Sequence, residues 1–366
     1  MTPQKIAWWH PEVGAAEEER VRQVFATNYL NEGDVTEDFE RQIAKLVDAR
    51  YAVGVTSGTA AIYLSLVALG VRAGDEVIVP DITFIATANA AAMAGATPVL
   101  VDVEPGTLNM SVAAMEAAIT PRTKAVVPVH VSGRAADMEA ILRVCSSRGI
   151  PVVEDAAEAL SSRHCGRWLG TFGAAGCFSF SPNKTITTGQ GGVVVTDDKE
   201  LGIRLRQLKD QGRPVRGTGG DDAHPVLGFN FKLTNLQAAV GLGQLERLSV
   251  RLERIRRTYC IYRDELAGVK GIRILPFDID AGEQPQWVDA LADRRNEFDA
   301  FLAQNGAGCR RFWLPIHTQM PYLRSDLAFP NSTRLCKDAI WLPSAFQMTD
   351  TDVQYVCGVI RKFYGA

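Results

Sequence analysis

Metal-binding patterns are scarce in this chain of 366 residues. Its five histidines are dispersed, and its seven cysteines (Cys145, Cys165, Cys177, Cys260, Cys309, Cys336 and Cys357) form no CxxC pair. A zinc or iron site gets little support from such spacing. The odd, scattered thiols read as buried or incidental groups of a reducing cytoplasm. No apolar run reaches the about 18–20 residues that a membrane-spanning helix requires. The opening MTPQKIAWWHPEVG lacks the charged-then-apolar order of a secretory signal, so cytoplasmic residence without a membrane partner is the expectation. Neither sign of charge dominates: a net charge of −3 gives no long-range pull toward nucleic acid or anionic lipid. Any phosphate binding must come from local geometry. Internal repeats and low-complexity segments are also missing.

What is present is a globular balance, with 46% apolar and 22% charged residues. The length favours one large and one smaller domain, or two similar ones. From Tyr51 onward, short valine-rich runs (YAVGVTSG, DEVIVP, TPVLVDV, KAVVPVHV, GIPVVED) alternate with helical stretches such as AAIYLSLVALG, SVAAMEAAI and ADMEAILRVCSS. Continuous apolar runs mark strands covered on both faces. Their alternation with helices predicts an α/β domain with a mostly parallel sheet flanked by helices, and such sheets bind ligands at the carboxyl ends of their strands. After about Leu245 the character changes. LERLSVRLERIRRTYCIYRDELAG reads as a long basic amphipathic helix leading into a smaller α+β part with strand candidates IRILPF and QWVDALA and a helix at RRNEFDAFLAQNG. Thr349 and Asp352 at capping-box spacing start a last helix, with Val353, Val356, Cys357, Ile360 and Phe363 on one face. The expected division is 1–245, an amino-terminal arm and large domain, and 246–366, a small carboxyl-terminal domain.

Three features carry possible chemistry. Thr56-Ser57-Gly58-Thr59-Ala60 turns from a strand into a helix, and free N–H groups at a helix start bind phosphate. Taken alone, a helix cap by Ser57 or Thr59 is the better reading. Glu154-Asp155 closes the strand GIPVVED. A carboxylate there is costly unless it is paired or does work, although Asp155 would also make a good cap. Lys184, in SPNKTITTG, would ordinarily be a solvated loop residue, yet Phe178, Phe180, Ile186 and Val193-Val194-Val195 surround it with apolar sequence. Burial makes a lysine a competent amine nucleophile. A phosphate cradle, a strand-end aspartate and a downstream lysine, in that order, together suit pyridoxal 5′-phosphate (PLP). Lys184 would form its Schiff base, Asp155 would pair with its ring nitrogen, and the Ser-Gly-Thr turn would hold its phosphate.

The chain resembles the DegT/DnrJ/EryC1/StrS family of sugar aminotransferases, within the fold type I PLP enzymes. The matching stretches run almost end to end: SGTAAIYLSLVALGVRAGDEVIVPDITFIATANA, EDAAEA, FSFSPNKTITTGQGG, GFNFKLTNLQAAVGLGQLERL and WLPSAFQMTDTDV. EDAAEA and NKTITTG are most similar to the branch that aminates C4 of GDP-4-keto-6-deoxymannose. The resemblance implies Lys184 as the cofactor-bearing lysine and proton shuttle, and Asp155 as partner of the ring nitrogen. It also implies Glu158 beside the ring's 3-hydroxyl and Phe84 stacked on the ring, with Gly58, Thr59 and Ser179 on the phosphate. Asn230 would reach the phosphate of a neighbouring subunit, implying a homodimer with shared active sites. Lys232 and His317 would face the sugar nucleotide, and L-glutamate would be the amino donor.

The chain departs from the family's habit in several places. Ser181 stands where His or Phe is usual, Gln190 where Glu is usual, and Lys232 in GFNFK where an arginine is usual, with the loss of a bidentate fork. The stretch before RRNEF is shortened. These differences leave cofactor chemistry intact and bear on the substrate, as do the loops Thr27-Asn28-Tyr29-Leu30-Asn31 and the region around Arg213 to His224. Rival readings are another UDP- or dTDP-linked keto sugar aminated at C3 or C4, a PLP-dependent sugar dehydratase, which in this family replaces the lysine by histidine, and a non-catalytic regulator. His130 and the pair Trp8-Trp9 read as structural, the tryptophans packing an amino-terminal arm.

Overall fold

The computed structural model describes residues 5–214 and 223–366. Most of the Arg213–His224 loop, residues 215–222, lies outside the described residues. In chain order the strands are β1 (Tyr51–Val55), β2 (Glu76–Pro80), β3 (Thr97–Val101), β4 (Thr123–Val126) and β5 (Val153–Asp155). A small hairpin follows, β6 (Arg163–His164) and β7 (Arg167–Trp168), then β8 (Ala175–Ser179) and β9 (Gly192–Thr196). The remaining four are β10 (Ile272–Ile274), β11 (Val288–Ala292), β12 (Arg310–Arg311) and β13 (Ala339–Leu342). Two helices, α1 (Ala15–Ala26) and α2 (Asp34–Leu46), precede β1. The helices α3 (Gly58–Ala68), α4 (Ala86–Met93), α5 (Val112–Ala117), α6 (Met138–Ser146) and α7 (Lys199–Lys209) are interleaved with the strands up to β9 and beyond it. Then come α8 (Asn235–Glu246), α9 (Leu248–Glu265), α10 (Arg295–Gln304), α11 (Pro330–Asp338) and α12 (Asp350–Tyr364).

Seven of the first nine strands build the expected sheet. β3, β2 and β4 pair in parallel, as do β5 and β8. Parallel bridges from Val126 to Val152 and from Val129 to Asp155 join the two halves. The order is thus β3-β2-β4-β5-β8-β9-β1, with β9 antiparallel to both of its neighbours. The short β6–β7 hairpin stands apart from this sheet. Valine runs such as Val77-Ile78-Val79 and Val193-Val194-Val195 are buried, as strands covered on both faces must be. Helix α3 is buried nearly all round (Ala60 to Leu66, with Ala68), packed against β8, β9, α4 and α7. It sits inside the core rather than on it.

The carboxyl-terminal part has its own core around an antiparallel sheet of order β10-β11-β13-β12. The basic stretch expected as one helix is divided at Arg247, where α8 ends and α9 begins. Ile255, Tyr259 and Tyr262 of α9 enter the second core, while Leu248 stays in the first. The arm packs with the second part: Ile6 bridges to Ala307, Trp8 stacks within 5.9 Å of Trp341 and 5.7 Å of Trp287, and Trp9 lies 4.7 Å from Phe346.

Helix α12 begins with the capping box read from the sequence. Thr349 accepts from the Asp352 N–H, while the Asp352 carboxylate accepts from the Thr349 N–H at 2.8 Å. Val353, Val356, Cys357 and Ile360 are buried, with Phe363 packed beside them. Thr349→Ala removes that cap and should lower stability by about 1 kcal/mol, seen as a lower urea midpoint at unchanged slope. An unchanged midpoint would show that the cap contributes nothing.

Candidate active site

At the carboxyl ends of β1, β5 and β8 lies a cavity of about 330 Å³. Strand alternation decides which acid faces it, because successive side chains point to opposite faces. Asp155, at the end of β5, lines the cavity. Glu154 points the other way, accepting from the Gly170 and Gly173 N–H groups at 2.8 and 2.7 Å and contacting His130 Nε2 at 2.9 Å. The His130 Nδ1 accepts from the Ala136 N–H at 3.2 Å. His130 is therefore a satisfied interior group, as the sequence suggested.

Asp155 is a buried carboxylate held through both of its oxygens. Its Oδ2 accepts from the Thr87 hydroxyl at 2.7 Å and its Oδ1 from the Ala157 N–H at 3.1 Å. Burial is the largest influence and pushes its carboxyl above the ordinary range; the Thr87 and Ala157 bonds pull the other way. Such a carboxylate wants a cation.

Lys184 sits on the loop between β8 and β9. Ser181-Pro182-Asn183-Lys184 closes a turn, the Lys184 N–H donating to the Ser181 carbonyl at 3.0 Å with proline in the second position. Beyond it, a row of buried threonines ties the loop down. Thr185 donates to Gln286 Oε1 at 2.7 Å, Thr187 to the Phe180 carbonyl at 3.0 Å and Thr188 to the Gln190 carbonyl at 2.8 Å. The Lys184 side chain is only 11% exposed, its Nζ donating to Glu158 Oε1 at 3.0 Å and lying 4.9 Å from the Trp287 ring centre. The other Glu158 oxygen accepts from the Ser132 N–H at 2.9 Å. Ser132 has a positive φ of 55°, and its hydroxyl donates to Asp289 Oδ1 at 2.9 Å. Asp289 is also ion-paired to the buried Arg134. The next residue must be glycine: φ at Gly133 is +98° and a Cβ would lie 2.1 Å from the Gln284 carbonyl oxygen.

The helix-start reading of Ser57 also holds, because its Oγ accepts from the Ala60 N–H at 3.1 Å. The first backbone bond of α3 is made by the Ala61 N–H to the Ser57 carbonyl. The Gly58 and Thr59 amides come before it, free for a phosphate. Gly58 lies against Ser179, whose Cβ would be 2.8 Å from a Cβ there. Phe84, half-exposed, also walls the cavity.

Three predicted residues stand away from this wall. Asn230 is exposed and bridges to Asp210. Lys232 is ion-paired to Asp210. His317 is fully buried, its Nδ1 2.6 Å from Asp81 Oδ2 and its ring stacked 4.5 Å from Phe329. The Thr27–Asn31 loop is exposed, with Asn235 donating to the Tyr29 carbonyl at 3.2 Å. Residues that sequence reading missed are Thr87, Trp287, Trp313 and Arg310. Only Thr87 carried a signal, standing three residues after Phe84 within DITFIATANA.

This donor set fits PLP. Asp155 would hold the ring nitrogen, Lys184 the aldehyde carbon, and the Gly58 and Thr59 amides with the Ser179 hydroxyl the phosphate. The metal candidate among the described residues, Glu139 with His164 and Cys165, lies apart from these groups.

Comparison with known proteins agrees. Residues 11–361 match the model of the DegT/DnrJ/EryC1/StrS aminotransferase family. A GDP-perosamine synthase of Escherichia coli O157:H7 is 37% identical over 364 residues, covering 98% of each chain. Among solved structures, a putative sugar aminotransferase from Streptococcus pneumoniae in its PLP form superposes with a TM-score of 0.93 at 25% identity, covering 99% of each chain. DesI, solved with its TDP-sugar product, gives 0.91 at 30% identity, covering 100% of this chain and 94% of its own.

The raised Asp155 carboxyl has a consequence for the cofactor-free protein. An acid whose folded pKa lies above its unfolded value stabilises the fold below the unfolded value, and that contribution is lost as pH rises through the folded one. Cofactor-free wild type should thus lose stability with rising pH across that interval. Asp155→Asn, which retains partners for Thr87 and Ala157, should show a smaller loss and be the more stable protein at neutral pH. Urea midpoints of both proteins from pH 4 to pH 8 test this, and parallel curves would refute it.

Proposed function

The chain belongs to the DegT/DnrJ/EryC1/StrS aminotransferase family, and from that premise we propose that it moves the amino group of L-glutamate to C4 of GDP-4-keto-6-deoxymannose. It is a PLP-dependent sugar aminotransferase. The observation that carries the site assignment is the meeting of Lys184 and Asp155 in one cavity beside the free amides of α3. When bound, PLP supplies an aldehyde that captures the donor's amine and a ring that takes up the electron pair left when the Cα proton departs.

The chain's own residues do the rest. Asp155 keeps a proton on the ring nitrogen, and the charge so formed satisfies the buried carboxylate. Lys184 would hold the cofactor's aldehyde carbon and, with its amine free, would serve as the base that moves the donor's Cα proton. Glu158, 3.0 Å from Nζ, orients that amine and receives its hydrogen bond. Gly58, Thr59 and Ser179, which line the cavity, would hold the phosphate, and Phe84 on its wall would lie beside the ring. With 2-oxoglutarate gone, the keto sugar enters and the same proton transfers run in reverse, so the kinetics are ping-pong.

The substrate reading rests on the EDAAEA and NKTITTG wording and on the GDP-perosamine synthase that matches nearly the whole chain. The runner-up is a keto sugar on another nucleotide, a class represented by DesI and its TDP-sugar. We take residues 1–245 as the cofactor-binding part and 246–366 as the smaller one. The working unit is a cytoplasmic homodimer in which Asn230, exposed on its own chain, serves the phosphate site of the other and Lys232 belongs to the sugar-nucleotide side, whereas His317, fully buried against Asp81, does not reach that side. The amino sugar would enter O-antigen or other lipopolysaccharide.

The cofactor-loaded protein should absorb visible light and lose that band on addition of L-glutamate, forming pyridoxamine phosphate stoichiometrically. Lys184→Ala should turn over at least ~10²-fold more slowly; wild-type turnover would remove Lys184 from the mechanism. Against a panel of keto-sugar nucleotides, GDP-4-keto-6-deoxymannose should give the highest kcat/KM, with the product identified by mass and NMR. A preference for a dTDP- or UDP-linked sugar would replace the substrate. Failure of the glutamate half-reaction would favour a regulator.

A further inference from the structure

Away from the catalytic cavity, three side chains of different donor chemistry converge: the Glu139 carboxylate, the His164 ring and the Cys165 thiol. Their ligand atoms all lie within 4.8 Å of one another, and none of the three lines the cavity. Glu139 stands exposed in the first turn of α6, while Met138, Ala140 and Ile141 turn inward. His164 and Cys165 come from the β6–β7 hairpin, whose pairing joins Arg163 to Trp168 and His164 to Arg167. Cys165 and Gly166 are left as a two-residue turn, and both have positive φ, 49° and 78°. That is the type I′ geometry, in which asparagine, aspartate or glycine normally precedes the glycine. The turn itself does not call for a cysteine. Among the described residues, none of the three side chains has a hydrogen bond or an ion pair, and the His164 ring lies 6.3 Å from that of Phe172. The two arginines of the hairpin are engaged with aromatic faces. Arg163 lies 3.6 Å from the Trp168 ring centre, and Arg167 lies 4.8 Å from that of Phe172 while donating to the Thr171 carbonyl.

We propose that Glu139, His164 and Cys165 form a surface site for a zinc ion. One nitrogen, one oxygen and one sulfur donor suit this borderline-soft dication, whereas calcium and magnesium take oxygen ligands. With the thiol ionised, one thiolate and one carboxylate cancel the two charges of the ion. Tetrahedral zinc sets such donors about 3.3–3.6 Å apart, a contraction that rotation of these side chains supplies. Three protein ligands leave the fourth position to water. Glu139 and His164 stand far apart in the chain, so no ligand spacing appears in the sequence. The bound ion ties α6 to the hairpin. The hairpin is itself fastened to the carboxyl-terminal part, because the Arg163 N–H donates to the Gly282 carbonyl at 2.9 Å. Sharing no residue with the cavity, the ion acts as a clip between these elements. Its binding weakens in acid, as protons compete for the thiolate and the imidazole.

The test uses the PLP-loaded enzyme, stripped of metal by a chelator that is then dialysed away. It should bind one zinc ion per chain in competition with a chromogenic chelator. Cobalt(II) in place of zinc should give a thiolate charge-transfer band and intense tetrahedral d–d bands. These are read as the difference between wild type and Cys165→Gly, so that the cofactor's own absorption cancels. Cys165→Gly, His164→Ala and Glu139→Gln should each raise the zinc Kd at least about tenfold. Glycine suits the positive φ of this turn, so metal-free Cys165→Gly should melt no lower than metal-free wild type. Added zinc should then raise the melting temperature of wild type and not that of the variant. An unchanged Kd in any of the three variants overturns the three-ligand site, as does a wild type that binds no zinc at micromolar concentration.

Discussion

A carboxylate buried at the end of β5 sets the terms for the whole site. Asp155 has two neutral donors, Thr87 and the Ala157 amide, and burial disfavours its charge. In water such a group would be unremarkable; here its ionised form is comfortable only beside a positive partner. A protonated ring nitrogen of the cofactor would be such a partner, and the attraction would be mutual, the carboxylate favouring the ring's protonated form and the ring relieving the carboxylate. Helix α4 takes part as well, since Thr87 in its first turn supplies the shorter of the two bonds.

The lysine faces the opposite requirement, because it must be held in place and still be free to move. Its loop is fastened by threonines, whose hydroxyls satisfy backbone and side-chain acceptors inside the protein. The amine itself is hydrogen-bonded to Glu158, which is gripped in turn by the Ser132 amide. Through Ser132 and Asp289 this grip reaches β11 in the carboxyl-terminal sheet. Trp287, which precedes β11, packs over the lysine. The second core therefore shapes the catalytic cavity directly.

Much of this could be read in the sequence. Valine runs announced the strands of the large sheet, glycine and serine marked the start of α3, and Thr349 with Asp352 marked the start of α12. Lys184, Asp155, Glu158, Gly58, Thr59, Ser179 and Phe84 all meet at the cavity. What escaped had no local signature. Strand β13 is a four-residue apolar run, Ala339 to Leu342, whose identity depends on partners in β11 and β12. Arg310 looked like any basic residue in CRRFW, because its neighbours Trp8 and Trp341 come from distant parts of the chain. The break at Arg247 was hidden because both helices it separates have helical sequence. His317 lies deep in the interior because Asp81, far away in sequence, fills both its backbone and ring donors.

Strand β9 runs against its neighbours and sits between β8 and β1. Its position places β1 at the margin of the sheet, paired in register from Tyr51 with Thr196 to Val55 with Gly192. A chain emerging from the ribosome thus makes β1 and α3 long before their partner exists. Closing so long a loop is a slow, entropically costly step, and it can happen only after the Lys184 loop has been synthesised. The start of α3 at the end of β1 and the lysine that follows β8 consequently cannot meet before β9 is made. The pairing of β1 and the closing of the cavity between α3 and the Lys184 loop therefore depend on the same strand, β9.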